Sequence, residues 1–224
     1  MNEILLFAQI IIIFSIVLLA KKFFGKTGLF VWMALASCIA QVGAAKTVTL
    51  FGLGTSAGSV LFASTFLVTD ILSESYGKKE ARKAVYIGAL SIVGFVIATS
   101  FINFMSPAPT DYASSAVATL FGLVPRISAA SLVMYFIANL ADVLLFNKLK
   151  DATGGKYLWL RNNVSTVICN GLENFLFFTL AFAGLQPWNV ILEMAVSTTI
   201  VEAIIAVCDT PFLYASKKVK DKAE

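Results

Sequence analysis

Carboxylate and amide side chains recur inside apolar stretches of this 224-residue chain, where charged groups are costly and mark function by default. The densest group is Asn170, Glu173, Asn174 and Phe177, which follow one another at i, i+3, i+4 and i+7. On a helix this spacing places all of them on one face. Single amides also join neighbouring helices, but a carboxylate flanked by two amides favours a polar cavity. We therefore predict a binding cavity on this face.

Other polar side chains fall at comparable depths, since each helical residue advances about 1.5 Å. Counted from the ends of their segments, Glu173 and Glu202 lie near the membrane midplane. Asp70, Asn139 and Asp142 lie near the midplane or somewhat toward the cytoplasm. Asp209 lies nearer the cytoplasmic surface and Gln41 nearer the outer one. Glu74 lies one turn after Asp70 and one turn before Lys78. We expect Glu74 and Lys78 to form an ordinary surface ion pair.

The composition shows that these polar residues are embedded in a membrane protein. Hydrophobic residues make up 58% of the chain, charged residues 13%, and the mean hydropathy is +0.85; a soluble domain carries about 25% charged residues. The net charge of +4 sits in short clusters between apolar runs, which argues against nucleic-acid binding. The absence of histidine excludes histidine triads and imidazole metal sites.

A helix crosses the hydrocarbon core with about 20 apolar residues. The segments that reach or approach this length are Glu3–Ala20, Leu29–Ala45, Ser59–Ser75, Ala84–Met105, Ile127–Lys148, Val164–Gly184 and Val190–Ser216. The last is long enough to tilt or to break before Pro211, and residues 113–124 suit a short re-entrant or interfacial segment. We predict an all-α polytopic transmembrane bundle of about seven helices (six to seven), forming one domain over residues 1–224.

The basic residues predict the orientation of the bundle, because cytoplasmic connections carry an excess of lysine and arginine. Clusters follow the first, third, fifth and seventh segments, beginning at Lys21, Lys78, Lys148 and Lys217. The other connections carry almost no basic residue. This alternation predicts the N-terminus outside and the C-terminus inside. The apolar start lacks a basic region before it, so we expect a membrane helix there and not a signal peptide.

Several stretches resemble one known family. They are residues 64–82 (STFLVTDILSESYGKKEAR), Arg126 with Ala130 and Ser131, Asp142 with Leu149 and Lys150, and residues 153–166 (TGGKYLWLRNNVST). In this order, from about residue 50 to 205, they resemble the queuosine-precursor transporter family, within the vitamin-uptake-transporter group of bacterial and archaeal membrane proteins. The chain departs from the family where glutamine and aspartate are usual, at Asn139 or Asn170 and at Glu173.

The resemblance implies a transporter, not an enzyme, that needs no cofactor and sits in the inner (cytoplasmic) membrane. Its implied substrate is a 7-deazaguanine: 7-cyano-7-deazaguanine, its aminomethyl relative or queuine. A guanine-like edge presents adjacent N–H donors to a carboxylate, Glu173 or Glu202, while an amide donates to O6 and an aromatic ring supports the base. The candidate substrate contacts are Glu173, Asn170, Asn174, Asp70, Gln41, Glu202, Asn139 and Phe177.

Three alternatives stay open at this point. The chain could be the substrate-binding subunit of an ATP-driven uptake system, an intramembrane enzyme, or an assembly factor. Its partners are expected to be the deazapurine, membrane lipid and a coupling ion, either proton or sodium. Small residues on the second and third segments permit close packing, so a homodimer is compatible with the sequence.

Overall fold

The computed structural model describes residues 1–121, 125–184 and 187–219, with backbone alone at 125–131 and 181–182. The predicted all-α fold is confirmed. The elements are α1 (Asn2–Ala44), β1 (Thr47–Leu50), β2 (Leu53–Ser56), α2 (Ser59–Ser75), α3 (Lys78–Phe104), α4 (Ser114–Phe121), α5 (Pro125–Ala152), α6 (Leu158–Phe182) and α7 (Trp188–Lys218). Each predicted span coincides with one of these helices or with half of α1.

The first two predicted spans are the two arms of α1, which reverses direction at Gly25. Gly25 has φ 56° and ψ −140°, outside the helical region. A straight helix of 43 residues would be about 65 Å long. Instead, Asn2 Nδ2 donates to the Thr49 carbonyl at 3.1 Å, and Glu3 accepts from the Phe51 N–H. The start of α1 therefore lies beside the residues that follow its end, as two antiparallel arms require.

A small β-hairpin follows α1, which the sequence analysis did not predict. Strands β1 and β2 pair antiparallel, with Leu50 opposite Leu53. Phe51 and Gly52 form the turn with φ of 52° and 79°, the positive values that suit two-residue hairpin turns. At the end of the hairpin Gly58 packs on the backbone of Ala40 and Gly43, where a Cβ would collide. This close approach joins the start of α2 to the second arm of α1.

Helix α2 is the centre of the bundle. It packs against α1, α3, α5 and α7, and its residues from Ala63 to Ser73 are all buried. Protein surrounds this helix in place of lipid. That environment explains why the corresponding segment is the least hydrophobic of the predicted spans, since its polar residues face other helices.

The outer helices extend beyond the predicted spans. Helix α3 begins at Lys78 instead of Ala84, and α6 at Leu158 instead of Val164. Apolarity marks the part of a helix in the hydrocarbon, whereas the hydrogen-bonded backbone continues into the polar boundary. Helix α7 runs through Pro211 without ending there. The short segment predicted at 113–124 is α4, Ser114–Phe121, and its last residues, 122–124, lie outside the described part of the chain.

The lipid-facing character of the bundle is evident in its surface. By length and composition, four of the described helices can cross a membrane: α1, α3, α5 from Leu132 onward, and α7. Large apolar side chains such as Ile11, Leu90, Phe101 and Val207 are exposed on them. These faces are stable in hydrocarbon and would be unfavourable in water. The chain is a multi-pass membrane protein.

Candidate functional site

One end of the bundle is joined by an ionic cluster centred on Glu74. Its carboxylate accepts from Lys150 of α5 and Lys217 of α7, each at 3.0 Å, and from Arg161 of α6. Lys78 is not among its partners in the described residues, so the predicted Glu74–Lys78 surface pair is wrong. The reason is tertiary: α5, α6 and α7 bring their cations to the end of α2, where they surround Glu74.

Arg161 is the most deeply buried member of this cluster, with a side chain that is 0% exposed. Its Nη1 also donates to the Gly155 carbonyl at 2.9 Å and to the Lys156 carbonyl at 3.2 Å. The guanidinium lies 5.2 Å from the centre of the Phe146 ring. The cluster thus holds the loop before α6 against the ends of α2 and α5.

The predicted polar face of α6 points into the bundle. Asn170 and Asn174 are buried, and Oε2 of Glu173 is buried as well. Asn174 Nδ2 donates to Glu202 Oε2 of α7 at 2.7 Å and to Thr199 Oγ1 at 3.2 Å. Glu173 lies within electrostatic range of Glu202. Asn174 and Glu202 therefore meet between α6 and α7, and Glu173 and Asn170 lie on the same face of α6.

Within this group, two side chains have polar atoms without a protein partner. Both amide atoms of Asn170 and Oε2 of Glu173 make no hydrogen bond in the described part of the chain. Buried polar atoms are nearly always paired, and those that are not require an explanation such as an absent ligand. Together they offer a ligand one donor, the amide nitrogen of Asn170, and two acceptors, the amide oxygen of Asn170 and Oε2 of Glu173. These atoms lie on adjacent turns of α6.

The remaining predicted residues have different surroundings. Asn139 of α5 is satisfied internally, because it donates to the Tyr135 carbonyl at 3.0 Å and accepts from Thr65 of α2 at 3.5 Å. Phe177 is half-buried and packs edge-to-face on Phe178, with ring centres 5.2 Å apart. Gln41 lies near the end of α1 and, within the described residues, makes no hydrogen bond to the other predicted site residues.

Asp70 belongs to a second acidic group, which lies between α2, α5 and α7. It lies beside Asp142, because the contacts of Thr65 with Asn139 and of Ser73 with Asn147 bring α2 and α5 together on either side of the two carboxyl groups. Asp209 of α7 acts on both electrostatically. Asp209 accepts a 2.6 Å hydrogen bond from Asn162, and Thr166 Oγ1 lies 3.4 Å from Asp142 Oδ1. The sequence analysis placed Asp142 and Asp209 in membrane spans but not in the site. Only the adjacency of α2 and α5 shows that Asp70 and Asp142 form a pair.

Two cavities lie away from both acidic groups. One of about 190 Å³ is lined by Asn2, Gln9 and Lys46, between the start of α1 and the hairpin. The other, of about 570 Å³, is formed by residues 102–118 around the start of α4. The predicted polar cavity at Glu173 stays a prediction, supported by the unpartnered atoms of Asn170 and Glu173.

Known proteins are similar in sequence to this chain over more than half of its length. A family model described as "Putative vitamin uptake transporter" matches residues 56–216. A Bacillus subtilis (strain 168) protein named "Probable queuosine precursor transporter" is 36% identical over 210 residues, covering 93% of this chain and 92% of the relative. The Escherichia coli (strain K12) "Queuosine precursor transporter" is 32% identical over 138 residues, 60% of this chain and 58% of that protein.

No solved structure matches the chain. The family match covers the helices that carry both acidic groups, from α2 to α7, and the relatives share its transporter description. The family consists of transporters of small molecules and not of enzymes. The resemblance of residues 64–82 and 153–166 is thereby confirmed, and the chain belongs to the queuosine-precursor transporter family, within the vitamin-uptake-transporter group.

Proposed function

We propose that this protein imports a 7-deazaguanine precursor of queuosine through the cytoplasmic membrane into the cell, and that Glu173 and Asn170 bind it. Candidate substrates are 7-cyano-7-deazaguanine, its aminomethyl relative and queuine. The observation that carries the site assignment is the pair of unpartnered polar groups on α6: Asn170 with both amide atoms free, and Glu173 with Oε2 free. The names of the relatives support the substrate class.

The chemistry of the base matches these two side chains. A deazaguanine presents N1–H and its exocyclic NH₂ side by side, and a carboxylate accepts both bonds with its two oxygens. Its O6 needs a donor, which the Asn170 amide supplies. Glu202 is less suited to this task, because it already accepts a 2.7 Å hydrogen bond from Asn174. We assign Glu202 and Asn174 to the wall of the site, where they keep α6 and α7 together.

The ring of the base requires an apolar surface beside this polar edge. Phe177 lies one turn after Glu173 and Asn174 on the same face of α6, and its ring is half-buried. Stacking on an aromatic ring contributes about 0.5–1.5 kcal/mol beyond the burial of area. Phe177 is therefore the proposed platform for the deazapurine ring.

The distribution of cations supports the proposed orientation of the bundle. Lys21, Lys150, Arg161 and Lys217 gather at one end, where Lys21 contacts Ser75 at the end of α2. A basic end faces the cytoplasm by the positive-inside rule. This supports the proposed orientation, with the N-terminus outside and the C-terminus inside, and Glu173 would then be accessible alternately from each side.

The test measures queuosine in the tRNA of cells that cannot synthesise the precursor, with and without this protein, at low external 7-cyano-7-deazaguanine. We expect queuosine only when the protein is present. Glu173→Gln replaces one acceptor oxygen by a donor and removes two charge-assisted hydrogen bonds, each about 1.5–3 kcal/mol. Uptake should fall by about 100-fold or more. Asn170→Ala should also lose uptake yet remain as stable as the wild type, because its amide has no protein partner to lose.

The matched control is Glu193→Gln, which makes the same change at an exposed position of α7 and should leave uptake unchanged. Normal uptake by Glu173→Gln at equal expression would remove Glu173 from the site. An absence of queuosine with well-expressed wild-type protein would refute the substrate. The alternative, a substrate-binding subunit of an ATP-driven system, predicts that the purified protein alone does not transport in vesicles.

A further inference from the structure

The interior of the bundle holds more carboxyl groups than its cations can neutralise. Arg161 acts electrostatically on one of them, Asp70, but it is engaged by Glu74 at the end of the bundle. The carboxyl groups with buried oxygen atoms along α2, α5, α6 and α7 are Asp70, Asp142, Glu173, Glu202 and Asp209. Isolated ionised carboxylates are very unfavourable in a low-dielectric interior, so such groups hold protons or bind a ligand.

Asp70 and Asp142 differ from the others because they face each other. Both side chains are 0% exposed. Neither oxygen of Asp70, nor Oδ2 of Asp142, receives a hydrogen bond from any donor in the described residues. The two side chains are neighbours, because Thr65 of α2 contacts Asn139 of α5 on one side of them and Ser73 contacts Asn147 on the other. Two buried carboxyl groups can share a hydrogen bond only when one of them carries a proton, so this arrangement is suited to bind one.

The surrounding groups indicate which carboxyl holds the proton. Asp142 has a hydroxyl neighbour, Thr166, at 3.4 Å, which favours its ionised form. Asp70 has no such donor among the described residues. We therefore place the proton on Asp70, as the donor to Asp142.

The charged groups that face Asp70 come from three packed helices: Asp142 of α5, Asp209 of α7 and Arg161 of α6. From the other neighbours, Lys21 of α1 contacts Ser75 at the end of α2, and Glu80 of α3 pairs with Lys26 at 3.8 Å. Loss of the proton would leave two like charges side by side, with Asp209 adding to the repulsion and Arg161 opposing it from a distance. These surroundings favour a proton on the pair, and a closer approach of a cation such as Arg161 would favour its release.

The pair lies on other helices than the proposed substrate site, so we assign Asp70 to the pair and no longer to the substrate contacts expected from the sequence. Asp70 and Asp142 are on α2 and α5, whereas Glu173 and Asn170 are on α6. Thr166, one turn before Asn170 on α6, lies 3.4 Å from Asp142 Oδ1. A change of charge on the carboxyl pair can therefore act on the substrate site through α6, as coupling between the two requires.

We propose that the Asp70–Asp142 pair is a proton-binding site that couples substrate import to the proton gradient and is separate from the substrate site at Glu173 and Asn170. The inference rests on the proposed function of import. One proton binds to the pair from the outer side and is released to the cytoplasm in each cycle. Each neutral base therefore enters together with one proton, so that one positive charge crosses the membrane in each cycle. A gradient of one pH unit supports at most about tenfold accumulation for one proton per substrate.

The experiment uses the purified protein in lipid vesicles with 7-cyano-7-deazaguanine. Two quantities are measured: accumulation driven by an imposed pH gradient, acid outside, and exchange of labelled for unlabelled substrate without a gradient. Asp70→Asn and Asp142→Asn should keep exchange and lose accumulation, so that the ratio of inner to outer substrate falls to about 1. Glu193→Gln is the isosteric control and should retain both. Glu173→Gln should lose both, because it removes a substrate contact.

The outcomes separate this inference from the proposed function. Wild-type exchange without any response to the pH gradient, or accumulation driven by sodium instead, overturns the proton site but leaves the substrate assignment intact. Full gradient-driven accumulation by Asp70→Asn also overturns it. Failure of wild-type exchange refutes the proposed function, import of this substrate by the protein alone, whichever of the substrate or the independence from an ATP-driven partner is at fault.

A second measurement tests the proton on the carboxyl pair without any substrate. Infrared spectra of the protein at neutral pH should show protonated-carboxyl absorption that loses one component in Asp70→Asn and is unchanged in Glu193→Gln. An unchanged band in both Asp70→Asn and Asp142→Asn contradicts the proposal.

Discussion

Replacing Glu74 by glutamine tests whether the ionic cluster at the end of α2 holds the bundle together. The substitution keeps the volume of the side chain and removes its charge. Three cations then lose their common anion: Lys150, Arg161 and Lys217. The perturbation affects four helices at once, because each member of the cluster comes from a different one.

The exposure of the three cations decides the size of the effect. Arg161 is 0% exposed, whereas Lys150 and Lys217 are 30% and 45% exposed. Removing one partner of a buried ion pair costs about 3–5 kcal/mol, and an exposed pair contributes about 0–1 kcal/mol. Arg161 keeps its hydrogen bonds to the Gly155 and Lys156 carbonyls. We therefore expect a loss at the lower end of that range, about 3 kcal/mol.

The assay is equilibrium unfolding of the purified protein in mixed micelles with increasing SDS. Glu80→Gln provides the control, because its ion pair in the described residues is with Lys26 at 3.8 Å and both side chains are partly exposed. It should change the free energy of unfolding by less than about 1 kcal/mol. Lys217→Gln should behave like the control, since it leaves Arg161 paired. Equal stability of Glu74→Gln and Glu80→Gln would show that burial of Arg161 does not determine the strength of the cluster.

Two further predictions concern the backbone reversal and the loop before α4. Gly25→Ala should destabilise the protein by about 1–3 kcal/mol in the same unfolding assay, because φ 56° and ψ −140° are unfavourable for a residue with a Cβ; an unchanged stability would contradict the reversal at this residue. Hydrogen bonds from the side chain and backbone N–H of Ser114 lower the pKa of Asp111. A lowered pKa stabilises the fold above the unfolded value of about 4 and loses this effect as pH falls through the folded value. The protection factors of the α4 amides, which correct for the intrinsic pH dependence of exchange, should therefore fall at pH 3 relative to pH 6 in the wild type and not in Asp111→Asn; an equal fall in both would assign the effect to another group.

Much of the architecture could be predicted from local features of the chain. Hydrocarbon thickness sets the length of each apolar run, so the predicted spans coincide with helices, and the span Ser59–Ser75 has the bounds of α2. The i, i+3, i+4 spacing placed Asn170, Glu173 and Asn174 on one face, and the structure buries Asn170, Asn174 and Oε2 of Glu173. These features depend only on helical periodicity and on the cost of exposing polar groups to lipid.

The helix ends and the hairpin were harder to predict. Hydropathy does not record where a helix ends once it leaves the hydrocarbon, which is why α3 and α6 begin about a turn or more before their predicted spans. The hairpin Thr47–Ser56 is too short and too polar for the membrane pattern to reveal it.

What the sequence alone determined was which residues lie in the membrane and on which face of their own helix. What only the tertiary structure decided was which of these residues meet. Asp70 lies beside Asp142 across 72 positions of sequence, and Glu74 binds cations from α5, α6 and α7 instead of Lys78 one turn away. Asn174 engages Glu202, which leaves Asn170 and Glu173 with free polar atoms. Helical periodicity is a local property of the chain, whereas the neighbours of a buried charge are chosen by helix packing, because a low-dielectric interior requires each charge to have a partner, a proton or a ligand.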